Sequence, residues 1–143
     1  MRIVKMSGEV FGFDSIEACK AYFKSVLPWQ KGNFYFAGEA NKIARNKLQS
    51  GDNVLFSFNG YIIAIAKAEE LLFNEDDRDN GIKIDMDTLK IFQVSISTMD
   101  LEIELSNYGF TDSIYGSQGW NILNGEIETK AMKYLKDKEW EIY

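Results

Sequence analysis

The dipeptide Asn59-Gly60 lies between two runs of β-branched and aromatic residues, Asn53-Val54-Leu55-Phe56-Ser57-Phe58 and Tyr61-Ile62-Ile63-Ala64-Ile65-Ala66-Lys67-Ala68. A two-residue type I′ turn needs φ > 0 at both central positions, which Asn and Gly tolerate best, so this pattern predicts a β-hairpin. The first arm alternates, with Val54, Phe56 and Phe58 on one side and Asn53, Leu55 and Ser57 on the other. The second arm is apolar at nearly every position, as expected of a strand covered on both faces. Ala64, Ala66 and Ala68 leave room for another element to pack closely, and Gly51-Asp52 supplies the turn that feeds the hairpin. The rest of the chain is expected to be arranged around this central pair.

On the N-terminal side, Arg2 to Met6 reads as an opening strand. Asp14 and Glu17 form a capping-box spacing, followed by Ile16, Cys19, Phe23 and Val26 on one face, which predicts a helix from about Ser15 to Leu27 that Pro28 stops. Trp29 to Asn33 is a predicted turn, and Phe34-Tyr35-Phe36 a brief strand. A second helix from about Glu39 to Gln49 buries Ala40, Ile43, Ala44 and Leu48 and leaves Lys42, Arg45, Asn46 and Lys47 on its outer side. That face is the most basic surface of the chain.

Beyond the hairpin, Glu69 to Asn80 is predicted to depart as an acidic loop. Asp76, Asn80, Gly81 and Asp87 match the spacing of a calcium loop, but Arg78 and Ile84 occupy ligand positions, so no metal site is expected. Leu89 to Ser97 predicts a strand with Lys90, Phe92, Val94 and Ile96 on one side. Leu101, Ile103 and Leu105 alternate with Glu102 and Glu104, which predicts a further, half-exposed strand. A Gly- and aromatic-rich connection through Tyr108-Gly109-Phe110 and Tyr115-Gly116-Ser117-Gln118-Gly119-Trp120-Asn121 follows. Asn124 is the expected N-cap of a last helix to about Asp137, with Ile127, Ala131, Tyr134 and Leu135 inward. Trp140, Ile142 and Tyr143 would close the structure as an edge strand.

Composition bounds the chemistry. The 143 residues fit one domain, and 45% hydrophobic with 27% charged residues describes a globular chain. No apolar run approaches the roughly 20 residues that span a bilayer, no signal-peptide pattern opens the chain, and the single Cys19 forms no internal disulfide, so a cytoplasmic protein is expected. Histidine is absent, which removes Ser-His-Asp and Cys-His nucleophile systems and the commonest transition-metal ligand. The net charge of −6 argues against coating duplex DNA, because phosphate neutralisation needs clustered Lys and Arg. Acids concentrate in one region, at Glu69, Glu70, Glu75, Asp76, Asp77, Asp79, Asp85 and Asp87.

Ala44-Arg45-Asn46 leading into Gly51-Asp52-Asn53-Val54-Leu55-Phe56, then Ile63-Ala64-Ile65-Ala66-Lys67-Ala68 and Phe92-Gln93-Val94-Ser95-Ile96, resembles the PUA-like superfamily and within it the EVE-type domains. The resemblance covers about residues 29 to 97. It departs from the EVE pattern in the short stretch between Asn46 and Gly51 and in the absence of the proline and tryptophan usual around the acidic loop. It implies an α+β fold, a mixed, partly closed β-barrel flanked by about three helices, with a pocket that accepts a nucleotide base, often a modified one, and no catalysis or cofactor.

The residues suit that implication. Holding one extruded base takes aromatic planes, a few amides for its edge and cations for flanking phosphates. Trp29, Phe36, Tyr61, Tyr115 and Trp120 are available for stacking, Gln118 and Asn121 for the base edge, and Lys42, Arg45 and Lys47 for phosphates. The expected partner is single-stranded or base-modified nucleic acid. The alternative is an acidic protein-interaction module, a regulator or inhibitor that presents residues 69–87 to a basic partner. An enzyme ranks below both, since a loop of mutually repelling, exposed acids gives none the burial that raises a carboxyl pKa.

Overall fold

The computed structural model describes residues 1–6, 8–35, 48–72, 81–116, 121–138 and 140–142. Asn59 and Gly60 take φ of 51° and 81°, and the hairpin forms around them from β3 (Asn53–Phe58) and β4 (Tyr61–Leu72). β1 (Arg2–Met6) runs parallel to β3, and β5 (Gly81–Ser97) pairs antiparallel along β4. Three short strands complete the sheet: β2 (Asn33–Tyr35), β6 (Asn121–Ile122) and β7 (Trp140–Ile142). The order is β2-β5-β4-β3-β1-β6, with β7 also on β5, and the sheet curls into a half-barrel. The predicted α+β class and the central place of the hairpin are both found.

Both faces of the sheet are covered. On one, Cys19, Phe23 and Leu27 pack with Val54, Phe56, Ala64, Ala66, Ala68, Leu89 and Ile91. The small side chains at Ala64, Ala66 and Ala68 admit the helix closely, as their spacing predicts. On the other, Leu101, Leu105, Ala131 and Leu135 pack on Ile3, Leu55, Ile62, Ile65, Phe92 and Ile96. Each fully buried Leu, Ile or Phe contributes about 1.5–3 kcal/mol. β3 is therefore buried on both faces too, and Ser57 is accommodated by donating its hydroxyl to the Val4 carbonyl at 3.2 Å.

The first long helix differs from its prediction in three ways. After the short α1 (Gly8–Phe11), α2 (Ile16–Ala21) is capped by Ser15, whose hydroxyl accepts from the Ala18 N–H at 3.1 Å, so the cap falls one residue after Asp14. A π-helical turn, Tyr22–Val26, follows and rotates the stripe, leaving Val26 exposed and Leu27 buried. Pro28 does not stop the helix at Leu27, since the chain stays helical through α3 (Leu27–Trp29). The end comes at Lys31, with φ 59°: its N–H bonds the Pro28 carbonyl at 2.9 Å and the Gly32 N–H the Leu27 carbonyl at 3.0 Å, a Schellman closure.

Two further predictions are corrected. The alternating stretch at Leu101 is not a strand but a helix, α4 (Thr98–Ser106), because Ser97 caps it through the Met99 and Asp100 N–H groups. Leu101 and Leu105, four apart, are fully buried, whereas Ile103 is 58% exposed. The acidic stretch does not leave the sheet at Glu69: β4 continues to Leu72, with Glu70 opposite Lys83 and Leu72 opposite Gly81. Burial of Ile82 and Ile84 favours pairing there, and Glu69 bridges to Lys83 at 3.8 Å. Glu69, Glu70, Asp85 and Asp87 are thus strand residues rather than one loop. Residues 73–80 lie outside the described residues, as does the predicted helix from about Glu39 to Gln49 except for Leu48 and Gln49, which are not helical.

The last helix, α5 (Gly125–Lys136), has the predicted bounds, although the Asn124 side chain makes no capping bond. β7 pairs with β5 at the predicted edge. No helix among the described residues is long and apolar enough to cross a membrane.

Candidate nucleic-acid interface

Because β1 and β3 are parallel and in register, Met6 and Phe58 finish side by side at one end of the sheet, beside the Asn59-Gly60 turn. The chain then doubles back through α1. A Cβ on Gly8 would lie 2.6 Å from the Phe13 carbonyl oxygen, so only glycine allows this approach. The reversal sets Phe13 edge-on to Phe58, with centroids 5.6 Å apart, and stacks it on Phe11 at 5.5 Å. Phe11 in turn stacks on Phe34 at 5.4 Å, and Tyr22 meets Phe11 and Phe13 edge-on. Phe34 is fully buried while Phe11, Phe13 and Tyr22 are half-buried, so a continuous aromatic wall runs from the core to the surface. Burial, with lesser contributions from Cys19 and Tyr35, pushes the Tyr22 phenol pKa up.

On the other side of the turn, Tyr61 stands opposite Phe58 and is 36% exposed. Tyr115 is 54% exposed and packs on the turn, since a Cβ on Gly60 would lie 3.1 Å from its ring. The Tyr115 peptide is held from both sides. Its N–H and that of Ile114 donate to one carboxylate oxygen of Glu102, and its carbonyl accepts from the Lys5 ammonium at 3.1 Å. Partial desolvation lowers the Lys5 pKa, and the Glu102 charge opposes that shift. Asn121 donates its amide to the Ser113 carbonyl at 2.9 Å, while its own side-chain oxygen is buried with no hydrogen-bond partner.

Of the residues singled out in the sequence, the fold brings Tyr61 and Tyr115 to the same hairpin tip, with Asn121 tied to the Tyr115 loop. Trp29 does not join them. It is 83% exposed at the end of the first long helix, next to β2, which pairs with Gly81–Lys83, whereas Tyr61 faces Ser97 at the other end of β5. Phe36, Lys42, Arg45, Lys47, Gln118 and Trp120 lie outside the described residues. Sequence reasoning missed Lys5, Phe11, Phe13, Tyr22 and Glu102. The pair Phe11-x-Phe13 just after the opening strand was the available signal. Glu102 was hidden by the strand reading of its segment. Among the described residues no group of three or more Cys, Asp or Glu side chains is placed to hold a metal.

No protein-family model matches the chain, and no curated protein matches it by sequence. Its fold is similar to that of the YTH domain of the Zygosaccharomyces rouxii MRB1 protein, solved in complex with N6-methyladenosine RNA. The TM-score is 0.58 at 16% identity, over 96% of this chain and 88% of that one. At that identity the likeness establishes a shared fold, a mixed α+β half-barrel, across nearly the whole of this chain.

Proposed function

We propose that this protein is a non-catalytic reader of single-stranded or base-modified nucleic acid, taking an unpaired base at the end of the sheet where β1 and β3 finish. The observation that carries the reading is the likeness, over 96% of the chain, to a domain solved with methylated RNA. The aromatic wall of Phe11, Phe13 and Tyr22 supports it, because half-buried planes offer a base a stacking surface already desolvated on one side. A PUA-like, EVE-type affiliation, on the Gly51-Asp52 turn and the strands that follow, agrees with the same role. Phe36, Trp120, Gln118 and Asn121 are further proposed base contacts, and Lys42, Arg45 and Lys47 proposed phosphate contacts, whereas Trp29, by the other end of β5, would meet a separate nucleotide. A cytoplasmic setting is proposed on the single, buried thiol of Cys19.

The net charge of −6 requires binding through local contacts, so affinity is modest and salt-sensitive and duplex is disfavoured. The test is a titration of labelled RNA at two salt concentrations, comparing a single strand carrying one N6-methyladenosine, the same strand unmodified, and a duplex. The reading predicts tightest binding to the modified single strand and weakest to the duplex. Equal binding of all three, or none at low salt, contradicts it.

A further inference from the structure

The hairpin tip, the helix α4 and the loop bearing Tyr115 form a closed circuit of contacts. The Gly60 carbonyl accepts from both the N–H and the hydroxyl of Thr98, at 2.9 and 3.1 Å, which fixes the start of α4 against the turn. One turn along α4, Glu102 holds the N–H groups of Ile114 and Tyr115. Ile114 is fully buried among Leu101 and Leu105, which anchors the loop from beneath. Lys5, from β1, grips the Tyr115 carbonyl, and the Tyr115 ring returns to Gly60. Every backbone group that sets the direction of this ring is held, yet more than half of the residue faces solvent. A tyrosine serving only the core would bury its ring. Here the ring is left open while its peptide is held at both its N–H and its carbonyl.

We infer that Tyr115 forms a preformed stacking site for the unpaired nucleobase next to the one held at the aromatic wall, and that Glu102 is its positioning residue. The inference rests on the reader function proposed above and adds a second base contact on the opposite side of the Asn59-Gly60 turn. Rigidity matters because a ring fixed before binding loses little freedom on contact, so more of the stacking energy appears as affinity. Glu102 acts through its acceptor oxygen, so a glutamine in its place still receives both N–H bonds, whereas an alanine leaves the loop unsupported.

The experiment measures binding of a labelled single-stranded RNA carrying one N6-methyladenosine to the wild type, Tyr115→Ala, Tyr115→Phe, Glu102→Gln, Glu102→Ala and the double variant Glu102→Ala/Tyr115→Ala, with a thermal melt of each. Tyr115→Ala is expected to weaken binding about tenfold, as loss of one stacked base does, and Tyr115→Phe to bind as the wild type does. Glu102→Gln should retain affinity and Glu102→Ala should lose it. The double variant should be no weaker than Tyr115→Ala alone, because removing the ring leaves Glu102 nothing to position. Unchanged binding by Tyr115→Ala, in a wild type that binds, overturns the stacking site and leaves the reader function standing. Additive losses in the double variant overturn the positioning role. Absence of binding by the wild type overturns both this inference and the function on which it rests.

Discussion

Thr98 donates two hydrogen bonds to the Gly60 carbonyl, one from its backbone N–H at 2.9 Å and one from its hydroxyl at 3.1 Å, while being 1% exposed. The first residue of α4 is thereby locked to the tip of the central hairpin. Thr98→Val keeps the shape and removes only the hydroxyl bond, leaving the backbone bond intact. It is expected to cost about 1 kcal/mol, read as a lower urea midpoint at unchanged slope. No change in the midpoint would show that the hydroxyl bond adds nothing to the junction.

Gly60 has φ of 81° and faces the Tyr115 ring. Gly60→Val should therefore destabilise by about 1 kcal/mol or more, since a β-branched residue resists this backbone conformation and its side chain meets the ring. A melting temperature equal to that of the wild type would contradict the type I′ turn around which the fold is arranged.

The helical reading of Thr98–Ser106 separates two residues that an alternating strand would treat alike. Leu101→Ala, in the fully buried position, should cost about 2–5 kcal/mol, and Ile103→Ala, 58% exposed, less than about 1 kcal/mol. Comparable losses at both positions in denaturant melts would restore the strand.

Cys19 is fully buried, and burial pushes its thiol pKa up to about 12. In the unfolded chain the thiol ionises near about 8.5, so above that pH the unfolded state releases a proton that the folded state keeps. The stabilisation is complete below that value and is lost as pH rises toward 12. Tyr22, its pKa also raised by burial, acts in the same direction at higher pH. Urea midpoints at neutral and alkaline pH should fall more steeply for the wild type than for Cys19→Ala, and parallel pH profiles would contradict this account.

The parts of the fold legible in the sequence were those in which local chemistry and tertiary packing agree. Asn59-Gly60 specifies its turn by backbone sterics alone, and the alanines of β4 announce a close neighbour. Leu101 to Leu105 was misread because five residues with apolar positions at every second place also contain an i, i+4 pair, and Ser97, which decides between the two, stood outside the alternating stretch. The π turn after Ala21 was invisible because a helix gains or loses one residue per turn without any change in composition. At the candidate site, Tyr61 and Tyr115 were found as aromatic residues in turn-rich stretches, while Phe11, Phe13 and Lys5 acquire their place only from the parallel pairing of β1 with β3, a contact between segments some 50 residues apart in the chain.

The most direct test of the central claim, that the end of the sheet beside the hairpin tip takes a base, is amide chemical-shift mapping. The 15N-labelled protein would be titrated with a single-stranded RNA carrying one N6-methyladenosine. The account predicts perturbations concentrated at Lys5, Met6, Gly8 to Phe13, Phe58 to Tyr61 and Tyr115. Perturbations centred instead on Lys67, Thr88 and Lys90 at the far end of β3, or none at saturating RNA, would contradict it.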